Sequence, residues 1–361
     1  MTTRADDDRR SAAAAAAPEP ETGGHRPSRR RHVWRVLASL LACLPLAARA
    51  ESSGVRLGIQ PGLSYLAFYV VEREQLIEHQ AAAAGLGDIK TGWVVSANGT
   101  VITDAVLSSS IDLAATGIPP FITLWAKGRG AAEIRGLAGY GSVPAVLVTR
   151  NPAVRTIADF TAADRIAVPS VRASVQAIIL EMATARTFGA DNWGRLDPLT
   201  VSLGHPDALV AMLSGRSEIT AHFAPAPFYQ QELQAPGTHV VLRTDDVFGG
   251  PLSNGILWTT TRFHSEHQEI VRSVLAALED AMTLIHHDPR RAAEDYLALS
   301  KDKPGVAELT EMIRELDASF DTVPHGTKAV ADFMHRIGAI NVAPARWQDM
   351  FFPEAWTRPG S

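Results

Sequence analysis

Polar side chains and glycines follow several short apolar runs that predict β-strands. Gln60 follows Val55–Ile59, and Ser170 and Ser174 follow the run at residues 165–168. Ligands of open α/β sheets bind beyond the carboxyl ends of strands, where the free N–H groups of the next helix favour anions and polar oxygens. The sequence therefore predicts ligand-binding residues at these positions, namely Gln60, Asn98, Gly99, Thr116, Gly117, Ser170, Ser174 and His222.

Several of these residues also have a purely structural explanation. Serine is a preferred N-cap residue, which would account for Ser170 or Ser174, and Thr116 could likewise cap a helix. A single histidine near a core, such as His222, can be a structural residue whose hydrogen bonds are satisfied. Arg172, beside the serines, could pair with an anionic ligand or be solvated.

A repeated phrase indicates which elements position these residues. Residues 107–116 read LSSSIDLAAT and residues 213–222 read LSGRSEITAH. Each copy follows a helical run and contains a small polar break, an acidic residue, a short strand and a final polar residue. One unit built twice predicts two similar α/β lobes that hold a ligand between them. The alignment pairs Thr116 with His222, so we expect these residues to face each other across the cleft.

Strands and helices alternate at the interval that predicts parallel βαβ units. We expect a discontinuous lobe one at residues 51–145 and 256–361, and lobe two at residues 146–255. Crossing strands near Val146 and Ile256 would form the hinge. From residue 265 the pattern is helical, with Asp288 as the N-cap of a helix that begins at Pro289. The aromatic residues of the C-terminal tail, Trp347, Phe351 and Phe352, are expected to pack on the core.

Composition excludes several classes of protein. The chain has 361 residues, 46% of them hydrophobic and 20% charged, and a formal net charge of −5. This charge argues against a nucleic-acid partner, since no basic excess is present to neutralise phosphates. Cys43 is the single cysteine, so no cysteine-ligated metal is expected in the folded part, and no other metal or cofactor is predicted. No Gly-x-Ser-x-Gly elbow, Walker loop or dinucleotide fingerprint occurs in a fitting context, so the protein is not expected to be an enzyme.

Residues 1–50 are predicted to be a leader and not part of the fold. The basic stretch at residues 29–31, the apolar run at residues 36–48 and the A-x-A sequence that ends at Ala50 form the pattern of a cleavable signal peptide. Export with cleavage after Ala50 is therefore predicted. The apolar run is too short for a spanning helix. Lipoprotein processing at Cys43 is the alternative, although an apolar segment follows Cys43 where a polar tether is expected.

With these elements in order, the chain resembles the substrate-binding proteins of ABC transporters in the nitrate/sulfonate/taurine family. The resemblance covers roughly residues 55–353. It is carried by VRLGIQPGLSYLAFYVVEREQL, WVVSANGTVITDAVLSSSIDLAATGIPPF, RIAVPSVRASVQAIIL, DALVAMLSGRSEITAHFAPAPF and VFGGPLSNGILWTTTRF. The resemblance implies a two-lobed, hinged periplasmic binding fold (type II) with C-terminal helices on lobe one. It also places ligand contacts at the loop positions predicted above. The chain departs from the family at Ser109, where glycine is common, and this affects a turn.

The same resemblance implies a periplasmic protein that delivers a small solute to a permease in the inner membrane. We expect the protein to be a monomer. Nitrate, bicarbonate, taurine, other sulfonates and pyrimidine precursors all remain open as solutes, and a sulfonate is preferred. The alternative is an enzyme on the same fold, of the pyrimidine-precursor or menaquinone-pathway type. The cysteine-rich iron motif of the pyrimidine synthases is absent after Cys43. A sensor domain that presents the solute to a receptor is a third possibility.

Overall fold

The computed structural model describes residues 54–97, 99–128, 133–300, 302 and 304–361. Its strands are β1 (Val55–Ile59), β2 (Thr91–Val95), β3 (Leu113–Gly117), β4 (Ile134–Gly139), β5 (Ala145–Thr149), β6 (Ile166–Val168), β7 (Thr200–Ser202), β8 (Ala221–Pro225), β9 (His239–Arg243) and β10 (Gly255–Thr260). Its α-helices are α1 (Leu66–Arg73), α2 (Leu76–Ala83), α3 (Gly99–Leu107), α4 (Ile118–Lys127), α5 (Val175–Phe188), α6 (His205–Leu213), α7 (Phe228–Leu233), α8 (Thr244–Phe248), α9 (Thr261–Glu266), α10 (Gln268–His287), α11 (Pro289–Leu299), α12 (Val306–Glu315) and α13 (Thr327–Arg336).

The strands form two five-stranded sheets with the same topology. The first has the order β2-β1-β3-β10-β4 and the second the order β7-β6-β8-β5-β9. In each sheet the first three strands are parallel, and the fourth runs antiparallel to both of its neighbours. That antiparallel strand is β10 in the first sheet and β5 in the second. The chain passes from the first sheet to the second just before β5, and it returns to the first sheet just before β10. The predicted α/β class is confirmed, while the lobe boundaries after residues 145 and 255 stay a prediction.

Helices cover both faces of the first sheet. On one face of the first sheet, a hydrophobic cluster packs the strands against α1, α2 and the helices α10 to α12. A second cluster joins the opposite face to α3 and α4 and continues to β6 and α5 of the second sheet. Buried strands of this kind read as nearly continuous apolar runs, as in VRLGI of β1, because both faces of the sheet are covered.

The repeated phrase has a different register in the structure from the one predicted. The backbone N–H of Arg56 donates to Oδ2 of Asp112 (2.8 Å), and the backbone N–H of Arg165 donates to Oγ1 of Thr220 (3.0 Å). Asp112 is therefore equivalent to Thr220, and not to Glu218 as the alignment had it. The helices end in register at Leu107 and Leu213, but the second copy has two more residues between helix and strand.

This two-residue difference makes the expected pairing of Thr116 with His222 wrong. Gly117 pairs with Gly255 of one crossing strand, and Pro225 pairs with Ala145 of the other. By this register the equivalent of Thr116 is Ala224. The strand that was expected to end at His222 begins one residue before it, because β8 spans Ala221–Pro225.

Several elements were not predicted from the sequence, among them β4, β7, α4 and α8. Residues 119 and 120 are both proline, a pair that is typical of a loop. In the structure they occupy the first turn of α4, where proline is tolerated because the N–H groups of that turn have no intrahelical acceptor. Strand β7 is only three residues long, at the edge of its sheet.

The C-terminal region agrees with the prediction. Asp288 caps α11 by accepting a hydrogen bond from the backbone N–H of Arg291 (3.0 Å). Trp347, Phe351 and Phe352 are buried, and they attach the tail to the core. Helix α13 contacts α4 and also α5, so this region contacts helices that flank both sheets.

Candidate ligand-binding site

A cavity of about 70 Å³ lies at the carboxyl ends of the central parallel strands of both sheets. Gln60 follows β1, and Gly117 and Pro225 are the last residues of β3 and β8. Ser170 comes two residues after β6. The two connections between the sheets complete the wall through residues such as Val143 and Asn254. This is the location that the topology of open α/β sheets favours for a ligand.

Four α-helices begin at the cavity. Gly99 is the first residue of α3, Gly117 is the N-cap of α4, Ser174 is the N-cap of α5 and His205 is the first residue of α6, and all four line the cavity. The first N–H groups of a helix have no intrahelical acceptor and carry the positive end of its dipole. Prolines at residues 119, 120 and 206 leave α4 and α6 with fewer free N–H groups in their first turns. Two helices from each half of the molecule still direct the positive ends of their dipoles at the same space.

The described residues that line the cavity include no Asp, Glu, Lys or Arg. Two lining residues, Gln60 and Tyr65, belong to a chain of neutral groups. Tyr140 Oη donates to Tyr65 Oη (3.0 Å), and Tyr65 Oη donates to Oε1 of Gln60 (2.9 Å). Burial raises the pKa of Tyr65 above its usual range, so the phenol stays neutral. The Gln60 amide donates to the carbonyl of Ala97 (3.2 Å), which fixes its orientation.

The two serines that were predicted as site residues both line the cavity but have different partners. Oγ of Ser174 accepts a hydrogen bond from the backbone N–H of Ala177 (3.2 Å), so this side chain caps α5. The Ser170 carbonyl accepts from the backbone N–H of Ser174 (3.0 Å), while its hydroxyl has no hydrogen bond to another described residue. The Ser170 hydroxyl is thus available to a solute.

The sequence did not decide whether Arg172 pairs with a ligand, and in the structure its side chain is held away from the cavity. Its Nε donates to Oδ2 of Asp197 (2.7 Å), and its guanidinium lies 5.8 Å from the centre of the Trp193 ring. It does not line the cavity. The explanation in which Arg172 pairs with an anionic ligand is therefore not supported by its geometry.

Thr116 does not line the cavity either, contrary to its predicted place in the cleft. The side chain is fully buried in the first sheet, and its Oγ1 accepts a hydrogen bond from Nε1 of Trp258 (2.8 Å). The next residue, Gly117, is the one that borders the cavity.

His222 is also fully buried and absent from the cavity wall. Its Nε2 lies 2.9 Å from Nδ1 of His205, and its Nδ1 lies 2.5 Å from Oε1 of Glu232. The structural explanation of His222 is thus the one that its contacts support. Its neighbour His205 is the histidine that lines the cavity.

His205 was missed by the sequence analysis, although the repeat contains the signal. Counting back eight residues from Leu107 gives Gly99, and counting back eight from Leu213 gives His205. The helical part of the repeat keeps its register, so His205 stands where Gly99 stands in the first copy. Asn98 is the one predicted site residue that lies outside the described residues.

Ser253 and Asn254 line the cavity from the connection that leads to β10. The Asn254 side chain accepts from the backbone N–H of Val143 (2.8 Å) and donates to the carbonyl of Val143 (2.7 Å). Asn254 therefore joins the two connections between the sheets beside the cavity.

No protein-family model matches this chain, and no curated protein matches it. Solved structures do match over most of its length. The alkanesulfonate-binding protein SsuA from Xanthomonas axonopodis pv. citri, bound to MOPS, superposes with a TM-score of 0.64 at 19% identity, over 81% of this chain and 94% of that one. The periplasmic aliphatic sulphonate binding protein SsuA from Escherichia coli gives 0.59 at 19% identity, over 82% and 98%.

The periplasmic nitrate-binding protein NrtA from Synechocystis PCC 6803 superposes with a TM-score of 0.55 at 13% identity, over 73% of this chain and 70% of that one. At these identities the likeness establishes the fold. Together with the strand order of the two sheets, it confirms the predicted two-lobed periplasmic binding protein fold.

No helix among the described residues is long and apolar enough to cross a membrane. No group of three or more His, Cys, Asp or Glu residues among them could hold a metal ion. The described lining of the cavity offers a ligand backbone N–H groups, hydroxyls, side-chain amides and an imidazole.

Proposed function

We propose that this protein is the extracytoplasmic solute-binding component of an ABC importer, and that it binds a small oxyanion in the cavity between its two sheets. The single observation that carries the proposal is that four helix N-termini meet at a cavity whose described lining has no charged side chain. Helix N-termini bind anions through oriented N–H groups and the helix dipole, without a counter-charge on a side chain.

The size of the cavity limits the solute. One water needs about 10–15 Å³ of such space, so about 70 Å³ holds roughly five waters. Nitrate, bicarbonate and methanesulfonate have four or five non-hydrogen atoms and match this space, whereas a larger solute would require the two halves to move apart. We favour a sulfonate, because two of the structurally similar proteins are described as sulfonate-binding.

Transport rests on further proposed steps. The leader at residues 1–50 would direct export, with cleavage after Ala50, and both lie outside the described residues. In the periplasm the protein would act as a non-catalytic monomer. Closure of the two lobes on the solute would then create the surface that a membrane permease recognises.

A thermal-shift screen tests the binding step. Nitrate, bicarbonate, methanesulfonate and taurine are each added to the purified protein, with ethylammonium and methylurea as cationic and neutral compounds of similar size. A ligand that binds the folded state raises the apparent Tm by mass action. We expect at least one anion to raise Tm at millimolar concentration and the cation to have no effect. If no anion shifts Tm, or the cation shifts it equally, the proposal is wrong.

A further inference from the structure

A chain of three buried side chains runs from the protein interior to the cavity. Glu232 of α7 and His222 of β8 are fully buried, and His205 of α6 is nearly so at 9% exposure. Oε1 of Glu232 lies 2.5 Å from Nδ1 of His222, and Nε2 of His222 lies 2.9 Å from Nδ1 of His205. We call these three residues the relay. Only its outer member, His205, lines the cavity.

The His205 ring is held in one orientation. It stacks on the Phe228 ring with 24° between the planes and 5.6 Å between the centres, and Nδ1 is bound to His222. Nε2 of His205 has no hydrogen bond to a described residue. It is therefore the ring nitrogen that remains for a solute in the cavity.

Few other titratable groups face the relay. The neighbouring strands β5, β6 and β8 carry no titratable side chain apart from His222. Helix α6 adds Asp207, which is exposed, and α7 adds Tyr229, which is half-buried. Burial alone raises the pKa of Glu232 to about 9 and lowers the pKa of His222 to about 3. Burial, and then the neighbouring His222, lower the pKa of His205.

The hydrogen-bond pattern of the relay links the positions of its protons to one another. When Glu232 and His222 share one proton, that proton sits between Oε1 and Nδ1, whichever atom holds it. His222 must then carry its other proton on Nε2 and donate to Nδ1 of His205. His205 in turn carries its proton on Nε2, where it faces the cavity.

Loss of the shared proton reverses the whole chain. An ionised Glu232 accepts from Nδ1–H of neutral His222, whose Nε2 then accepts from Nδ1–H of His205. Nε2 of His205 becomes a hydrogen-bond acceptor. The buried carboxyl group therefore decides whether the cavity wall offers a donor or an acceptor at this position.

We propose that His205 is a ligand-binding and specificity-determining residue, and that Glu232 acts through His222 as a positioning residue that keeps the N–H of His205 directed at the solute. This inference rests on the proposed solute-binding function. It deepens that function by naming the solute class, an acceptor such as the oxygen of a deprotonated sulfonate or nitrate. A solute that presents a donor at this position, such as an ammonium group, is rejected unless the relay releases its proton.

The first test needs no ligand. Histidine tautomers are assigned by two-bond proton–nitrogen NMR spectra of the ligand-free protein, with the two signals identified by His205→Phe and His222→Phe. Near pH 7 both histidines are expected to be neutral and protonated on Nε2. Protonation of His205 on Nδ1, or titration of His205 with an ordinary pKa, would overturn the proposal. The tautomers are measured on the wild-type protein, so the test remains decisive even if one of the two variants fails to fold.

The second test uses methanesulfonate and nitrate as probes in calorimetric titrations. His205→Phe keeps the ring stack but removes the N–H group, and we expect its affinity to fall roughly tenfold or more. Glu232→Leu removes the group that orients the tautomers and should have a smaller effect of the same sign. His335→Phe, at an exposed position of α13, is the matched control and should bind as the wild type does.

The two proposals fail in different ways. If a probe binds wild type and His205→Phe equally, His205 is not a ligand-binding residue, although the solute-binding function stands. If neither probe binds the wild type, the proposed function for small oxyanions is contradicted, and the tautomer spectra still decide the state of the relay. Affinity that falls as the pH rises through about 9 would support the relay, since Glu232 then loses its proton.

Discussion

Oγ1 of Thr116 lies 2.8 Å from Nε1 of Trp258, inside the first sheet and away from the cavity. The hydrogen bond joins β3 to β10, the strand by which the chain returns to this sheet. Both side chains are fully buried, so the indole N–H has no access to water. The Thr116 side chain therefore stabilises the sheet and does not form part of the cavity wall, although the next residue, Gly117, does.

Thr116→Val is therefore expected to lower stability without changing solute affinity. It leaves the buried Trp258 N–H without an acceptor, which costs about 1–3 kcal/mol. Denaturant unfolding measures the loss, and calorimetry with methanesulfonate checks affinity. Thr283→Val, on the exposed face of α10, serves as the control and should change stability little. A marked loss of affinity in Thr116→Val at full stability would show that Thr116 contacts the solute.

Ser170→Ala and Ser174→Ala are expected to separate binding from folding. The Ser170 hydroxyl has no hydrogen-bond partner among the described residues, so alanine there should weaken solute binding several-fold and leave the free energy of unfolding nearly unchanged. Ser174 caps α5, so alanine there should cost about 1 kcal/mol of stability in addition to any loss of affinity. Thermal unfolding and calorimetry on both variants test this. Equal stability losses in the two variants would contradict the assignment.

Gly117→Ala probes the contact between the two halves at the cavity. A Cβ atom at this position would lie 2.9 Å from Cγ2 of Val175, the first residue of α5. We expect the two halves to be held slightly apart and solute affinity to fall several-fold, since one side chain must move. The double variant Gly117→Ala/Val175→Ala should recover affinity, and Gly250→Ala, where the added atom meets nothing within 4 Å, should be neutral. Failure of the double variant to recover would contradict the steric explanation.

The buried Glu232 predicts a dependence of stability on pH. Its pKa is raised to about 9 in the folded protein, so from about pH 4.5 to 9 the folded state holds a proton that the unfolded state has lost. Stability therefore falls as the pH rises through this window. The lowered pKa of His222, about 3, acts in the opposite direction only below about pH 6.5, where stability is lost as the pH falls.

Between about pH 6.5 and 8.5 the Glu232 contribution alone should lower the free energy of unfolding by roughly 2 kcal/mol. Glu232→Gln has no carboxyl group to titrate and should lose this dependence. Urea unfolding of both proteins at the two pH values measures it. Parallel pH profiles for wild type and variant would show that Glu232 is ionised in the folded protein over this range.

Much of the fold could be predicted because the apolar runs of buried strands and the helix signals are local. Strand β1 and the Asp288 cap were predicted at the residues where the structure has them. Helix α4 was not, because two prolines in a first turn look like a loop when the chain is read locally. Strand β7 has only three residues, too few to show the alternation of apolar and polar residues that indicates a strand.

The candidate site was predictable only at the level of loops. Gln60, Gly99, Gly117, Ser170 and Ser174 all line the cavity because the carboxyl ends of parallel strands meet there. His222 does not, because two extra residues before β8 shift the second copy of the repeat against the first. Thr116 does not, because its side chain is buried in the first sheet and bonded to Trp258. Such an insertion is set by tertiary packing and leaves no periodic signal in the sequence.

The central claim is that helix N-termini and neutral donors bind a small oxyanion in the cavity. Amide proton–nitrogen NMR spectra recorded during titration with methanesulfonate and with nitrate test it most directly, because they report both binding and position. The largest shifts are expected at the backbone N–H groups of Gly99, Val175, Gln176 and His205, and they should saturate together. Saturable shifts confined to residues outside the cavity, or no shift at these four groups with either anion at millimolar concentration, would contradict the account.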